Sequence, residues 1–341
     1  MPANVNKELQ SNIIRRRALT SMWERRLSLR LDNQLSQLNR RFVRMATEFG
    51  VSAALLTRYN REIRRTYRTM YTMALEELSR LGTSEGAFIA SQIQAPLRNI
   101  YEARRLTGFT VRDLLIRDNK NLAQHFAAIS TSQRRILSNT IRTGLAAGTS
   151  NNAIIANIAR SGSLLARTQV AALTRTAVTQ IANDAASTVY RLNEDVIRGY
   201  QYVATLDGRT SIICARLDGR TFSLDSQFQP RPPQHFNCRS TTIPVVKSAG
   251  AIDQVQGNRR INKRNLRNIS EARRASINGA VPARTTYAEW LRTQPNEVRL
   301  NLLGSQARVN LFNQGNLTLT QFSNREGRLL SIERLEELSN M

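Results

Sequence analysis

Between Asp207 and Val246 the chain gathers both of its cysteines and one of its two histidines. Cys214, His235 and Cys238 fall at the spacing C-x20-H-x2-C, with Pro232-Pro233 just ahead of the histidine. Around them stand Asp207-Gly-Arg209-Thr210, Leu217-Asp218-Gly219, Phe222 and Asn237-Cys-Arg239. Three soft ligands could hold zinc, but zinc in structural sites takes four donors in a closed tetrahedron. Asp207 or Asp218 would have to supply the fourth. The alternative is a buried pair of thiols, or a disulfide on occasion, with His235 hydrogen-bonded into the turn. Asp207 can close an Asx turn, Arg209 or Arg239 can pair with Asp207 or Asp218, and Pro233 stiffens the return leg. We therefore expect a structural clasp made of Asp207, Arg209, Thr210, Cys214, Asp218, Gly219, Pro233, His235, Asn237, Cys238 and Arg239. No cofactor is expected in it; zinc at Cys214, His235 and Cys238 stands as the alternative.

Catalysis is not expected. A nuclease needs carboxylates gathered on a metal, or histidines acting as acid and base. Asp207, Asp218 and Asp225 are spread loosely through turns, and His125 sits in the helical run Leu122-Ala-Gln-His-Phe126. No nucleophile elbow, P-loop or glycine-rich phosphate loop occurs. The acidic residues Glu333, Glu336 and Glu337 read as one face of a terminal helix.

The order Asp-x-Arg-Thr, Cys, Leu-Asp-Gly, Phe, Pro-Pro, His-x-Asn-Cys-Arg resembles the signature of the phage head-morphogenesis family of minor head proteins (phage Mu F-like, SPP1 gp7-like). It is carried by Asp207, Arg209, Thr210, Cys214, Leu217 to Gly219, Phe222, Pro232, Pro233, His235, Asn237, Cys238 and Arg239. Arg167 to Tyr190 and a tail with Tyr287, Trp290-Leu291, Leu303-Gly304, Arg308, Leu311, Gly315 and Phe322 also look like the family. Many relatives carry a further cysteine where this chain has Leu217, and another where it has Ser240, so a relative's metal site could have decayed here. The resemblance implies a non-enzymatic protein of a tailed-phage virion, made in the bacterial host cytoplasm. It would sit at the portal vertex or capsid interior, several copies per virion, and act in head assembly and in DNA packaging or ejection. Portal protein, major capsid protein and packaged double-stranded DNA are the implied partners. A nuclease or toxin-like effector carried in the head is the alternative, since such domains are sometimes fused to effectors.

Charge supports the nucleic-acid half of this independently. Fifty basic residues face twenty-five acidic ones, a net +25. Only Lys7, Lys120, Lys247 and Lys263 are lysines, which leaves 46 arginines. The guanidinium fork suits phosphate bidentately, and so large a charge repels itself unless a polyanion neutralises it. Arg15, Arg16, Arg17, Arg25, Arg26, Arg259, Arg260, Lys263, Arg264 and Arg267 are the expected phosphate contacts. No base-reading module occurs, so binding should be non-specific and fall steeply with salt. No apolar run approaches the length of a membrane span, and the first residues lack a secretory signal, so no membrane contact is expected.

The elements that must position these groups are mainly helical, with a small β-containing unit. Leu27, Leu31, Leu35, Leu38, Phe42 and Met45 make one helical stripe. Leu55, Tyr59, Ile63, Tyr67, Met70, Ala74, Leu78 and Leu81 make a second. Two antiparallel helices would bury them together, with Gly50 and Ser52 at the bend, and these long helices are the candidates for docking on portal or shell. Further helix is expected to residue 150, broken at Gly82, Pro96 and Gly108, with an N-cap at Thr110. Another helix runs from Leu164 to Leu192. The pattern then turns β-like at Tyr200–Ala204, Arg220–Phe222 and Thr241–Val246. This divides the chain into an N-terminal helical region (1–139), a head-morphogenesis domain (140–250), a basic linker or arm (251–278) and a C-terminal set of short helices (279–341).

Overall fold

The computed structural model describes residues 2–97, 101–248 and 272–340. The fold is mainly α with small antiparallel sheets, as the sequence led us to expect. Most of the basic stretch 251–278, with Arg259, Arg260, Lys263, Arg264 and Arg267, lies outside the described residues. The helices are α1 Pro2–Ser11, α2 Ile13–Phe49, α3 Ala53–Gln94, α4 Leu122–Ala146, α5 Asn151–Asn157, α6 Ser163–Leu192 and α7 Ile212–Ala215. The tail adds α8 Tyr287–Arg292, α9 Asn296–Leu303, α10 Gln306–Gln314 and α11 Ile332–Ser339. Contacts divide the chain into two compact units, each discontinuous in sequence. Unit 1 is Met1–Leu19, Ser84–Thr107 and Ala182–Met341; unit 2 is Thr20–Thr83 and Gly108–Ile181. Each unit is thus assembled from stretches that the four-part linear division keeps apart.

In unit 2, α2 and α3 run antiparallel. Gly50, at φ +62, makes the bend, and Ser52 Oγ accepts from Leu55 N at 3.2 Å to open α3. Phe42 and Tyr59 pack with ring centroids 4.7 Å apart, Arg41 meets Glu62 at 2.9 Å, and Arg30 meets Glu77 further down. Both predicted stripes are buried except Met45, which is half-buried while Ala46 beside it takes the interior position. Gly82 does not break the helix. A side chain there would come within 2.3 Å of Phe109, so the glycine admits that ring against α3. The expected cap at Thr110 is also absent: the hairpin β1 Leu115–Arg117 and β2 Lys120–Asn121 intervenes. Asn121 caps α4 instead, in a capping box with Gln124. Asp118 and Asn119, at φ 52° and 54°, form the hairpin's turn, where short polar side chains tolerate left-handed backbone. In α6, Val170, Leu173, Ala177 and Ile181 are buried, and Leu165 is exposed.

Unit 1 is built around a three-stranded antiparallel sheet in the order β4 (Thr221–Ser223), β3 (Ile197–Val203), β5 (Thr241–Val246). Tyr200 stands opposite Phe222 on one side and Pro244 on the other. Pro244 lacks an N–H for the ladder and lies on the edge strand, where that loss is tolerated. The core gathers Val5 and Leu9 of α1, Ile89 and Ile93 of α3, and Val189 and Tyr190 of α6. The tail contributes Trp290, Leu291, Phe312, Phe322 and Leu335 to the same core. A second hairpin, β6 Arg273–Ser276 with β7 Gly279–Pro282, takes its first strand from the last residues of what the sequence suggested was an unpacked arm. Asn278-Gly279 was its signal, an Asn-Gly dipeptide being a strong short-range mark of a hairpin turn.

Candidate functional site

The clasp forms where β3 leaves the sheet. Asp207 Oδ1 accepts from Arg209 N at 3.0 Å, which closes the expected Asx turn, and Thr210 Oγ1 donates to the Thr205 carbonyl at 2.6 Å. Arg239, arriving from the far end of the motif just before β5, grips both oxygens of the Asp207 carboxylate, with Nη2 at 2.9 Å from Oδ1. Burial pushes the Asp207 carboxyl up, but the Arg239 guanidinium and the Arg209 N–H outweigh it and hold it below the ordinary carboxylate range. Arg209 contributes through its backbone, and its side chain is exposed.

Asp218 is gripped by a residue that the sequence placed in a linker. Arg274 donates to both of its oxygens, each at 2.9 Å, and also to the carbonyls of Ala204 and Thr285. Asp218 accepts further from Ala204 N at 2.6 Å and Tyr287 N at 2.7 Å. Asp218 and Arg274 are both buried, so their charges meet with little water between them. Tyr287 closes the ring by donating its hydroxyl to the Asp207 carbonyl at 3.0 Å. Gly219, at φ +78, turns the chain into β4, and its N–H donates to Tyr202 O at 2.9 Å.

The sulfur side of the motif is adjacent and buried. Cys214 Sγ lies 3.3 Å from His235 Nε2 and 3.6 Å from Cys238 Sγ, and Tyr202 donates its hydroxyl to it at 3.2 Å. Both cysteines are free thiols. His235 Nδ1 sits 2.7 Å from the Phe236 carbonyl, which can only accept; that places the proton on Nδ1 and leaves Nε2 as the acceptor facing the thiols. The Cys214 thiol is pushed well up by its hydrogen bond to Cys238 and by burial. Asn237 adopts φ +62, and the Pro232-Pro233 bond is cis. The two sulfurs and Nε2 lie within 4.8 Å of one another, close enough for one metal ion. No carboxylate completes the set among the described residues: Asp207 and Asp218, the fourth ligands that zinc would have needed, are taken by Arg239 and Arg274.

The predicted phosphate contacts fare unevenly. Arg16 is no surface contact: it is buried and donates to Glu85 and to the carbonyls of Thr242 and Ala182, the last at 3.2 Å. Burial pushes the Glu85 carboxyl up, against the pull of Arg16. Burial also lowers Arg17, to about 10, beside Arg239, Asp207 and Arg274. Arg26 pairs with Glu77 at 3.2 Å. Arg15 and Arg25 are exposed. His125, which the sequence assigned no chemistry, is a buried residue of α4.

No curated protein and no solved structure matches the chain. A family model described as "Phage Mu protein F like protein" matches residues 135–243, a stretch that holds α6, β3, β4, the first half of β5 and every clasp residue up to Arg239. The resemblance carried by Asp207 to Arg239 is thereby borne out, and residues 135–243 are similar to a phage head-morphogenesis family.

Proposed function

We propose that the protein is a non-enzymatic minor head protein of a tailed phage. It works at the portal or the inner face of the capsid, against packaged DNA, during head assembly and in packaging or ejection. The observation that carries this reading is the family match over residues 135–243. The clasp agrees with it: Asp207, Asp218, Cys214, His235 and Cys238 all point at one another or at arginines within the fold. A carboxylate already gripped by a guanidinium is a poor metal ligand and a poor base, so the motif closes the fold and turns nothing over. For the same reason we read the thiol and imidazole groups as a metal-free lock. Metal analysis of the purified chain should find less than one zinc per molecule; a stoichiometric, chelator-resistant zinc would replace the lock with a Cys2His centre.

Mass spectrometry of purified particles tests the main reading. The chain should be present in procapsids or portal complexes, in several copies, and its absence from both would reject a virion role. The effector alternative is tested by incubating the purified chain with plasmid and a divalent metal. Cleavage abolished by Asp207→Ala or His235→Ala would replace the structural reading with an enzymatic one.

A further inference from the structure

Most arginines of unit 2 with a nearby carboxylate are used to hold helices together. Arg26, Arg30 and Arg80 surround Glu77, Arg167 meets Asp32 at 3.3 Å and Arg175 meets Glu24 at 2.8 Å. The bend end of the α2–α3 hairpin is different. Residues 40–68 hold eight arginines and two glutamates. Arg41 and Arg44 from α2, with Arg58, Arg61 and Arg65 from α3, line an open cleft of about 1080 Å³. Its one carboxylate, Glu62, is held by Arg41. Arg44, Arg61 and Arg65 are exposed and have no carboxylate partner among the described residues.

We propose that this cleft is the seat of a DNA phosphate backbone, a proposal that rests on the reading of the chain as a protein working beside packaged DNA. Two facing helices present guanidiniums at i, i+3 and i+4 spacing, neighbours on a helix surface. They form a two-sided cradle of fork donors that matches a polyphosphate rather than a single anion. The rest of the wall is small and polar: Gln34 and the exposed Thr57 add donors of the kind that contact phosphate and sugar. An acidic protein partner would want an apolar or aromatic anchor at the centre of its footprint. The cleft offers only Met45 and two alanines. Nothing in it could read base edges, so recognition is independent of sequence.

Fluorescence anisotropy of the full chain on a mixed-sequence duplex, across a salt series, tests this. The variant Arg44→Gln/Arg61→Gln/Arg65→Gln should bind at least about tenfold more weakly. Its slope of log affinity against log salt should be shallower by about three, near one per lost phosphate contact. Lysine at the same three positions should restore the slope, which separates lost charge from lost fold. Arg15→Gln/Arg25→Gln should cost less than the cleft variant. Wild-type affinity and slope in the glutamine variant would overturn the proposal. So would unchanged DNA binding with lost binding to poly-glutamate, which would make the cleft a protein-docking site. Incorporation into particles is read separately by mass spectrometry. A wild-type chain that binds DNA through the cleft but never enters particles sinks the minor-head reading and leaves the cleft standing.

Discussion

At the scale of single residues, two carboxylates decide whether the clasp is shut. Asp218 is the deeper of the two, with Arg274 as its bidentate partner and two backbone N–H groups on the same oxygens. Removing one member of a buried pair strands the other charge, and the cost is about 3–5 kcal/mol. Arg274→Ala should therefore lower unfolding free energy by that order in denaturant titration, while Arg273→Ala, one residue away on the exposed face of β6, should change it by under about 0.5 kcal/mol. Equal effects would mean that Asp218 has another counter-ion. Asp207 makes a pH prediction. Its folded-state carboxyl lies below the unfolded value of about 3.9, so its stabilising contribution is complete above that value and is lost as pH falls through the lower folded one. Acid titration followed by the near-ultraviolet signal of Trp290 and Tyr287 should show this loss, and Asp207→Asn should flatten it. Of these residues Asp207, Arg239, Asp218 and the sulfur cluster were legible from type and spacing. Arg274 was not, because a buried arginine has the same one-letter appearance as a solvated one, and its neighbours Arg273 and Lys263 read as a charge run.

At the scale of elements, the same blindness explains Arg16. It lies in the run Arg15–Arg17, which reads as a surface patch, yet helix periodicity turns Arg16 fully inward, where Glu85 waits on α3. Glu85→Ala should destabilise unit 1 by about 3–5 kcal/mol by leaving a buried guanidinium unpaired; a double change of Arg16→Met with Glu85→Leu should recover much of that, and failure to recover would point to the Thr242 carbonyl as the essential partner. The stripes on α2 and α3 were read correctly because repeats over about five and seven turns leave few alternatives for which face is buried. Gly82 and Gly86 were harder. Glycine in a helix usually marks a break, but here each admits a side chain from a distant stretch: Phe109 against Gly82 and Leu106 against Gly86, the latter 2.4 Å from where a Cβ would stand. Close approach between segments far apart in sequence leaves no local pattern. Gly82→Ala should accordingly displace Phe109 and cost about 1–3 kcal/mol as an overpacking defect, against the small gain in helix propensity that alanine brings elsewhere.

At the scale of the whole chain, the family match and the compact units have different boundaries, and the difference can be tested. Residues 135–181 of the matched stretch belong to unit 2, and residues 182–243 belong to unit 1. Within unit 1 the matched strands β3 and β4 share their core with Val5 and Leu9 from the start of the chain. The same core takes Trp290, Leu291, Phe312 and Phe322 from its end. Each such large apolar side chain contributes about 1.5–3 kcal/mol by burial, and Arg274, the partner of Asp218, also lies beyond the match. Loss of these groups together exceeds the 5–15 kcal/mol or so by which ordinary domains are stable. The matched stretch expressed alone should therefore lack a cooperative unfolding transition, although α6 can retain helical signal in far-ultraviolet circular dichroism. The full chain should unfold cooperatively under the same conditions. A cooperative transition from residues 135–243 alone would mean that the head-morphogenesis signature is self-sufficient, and that the tail and the first helix are additions to a finished domain rather than parts of its core.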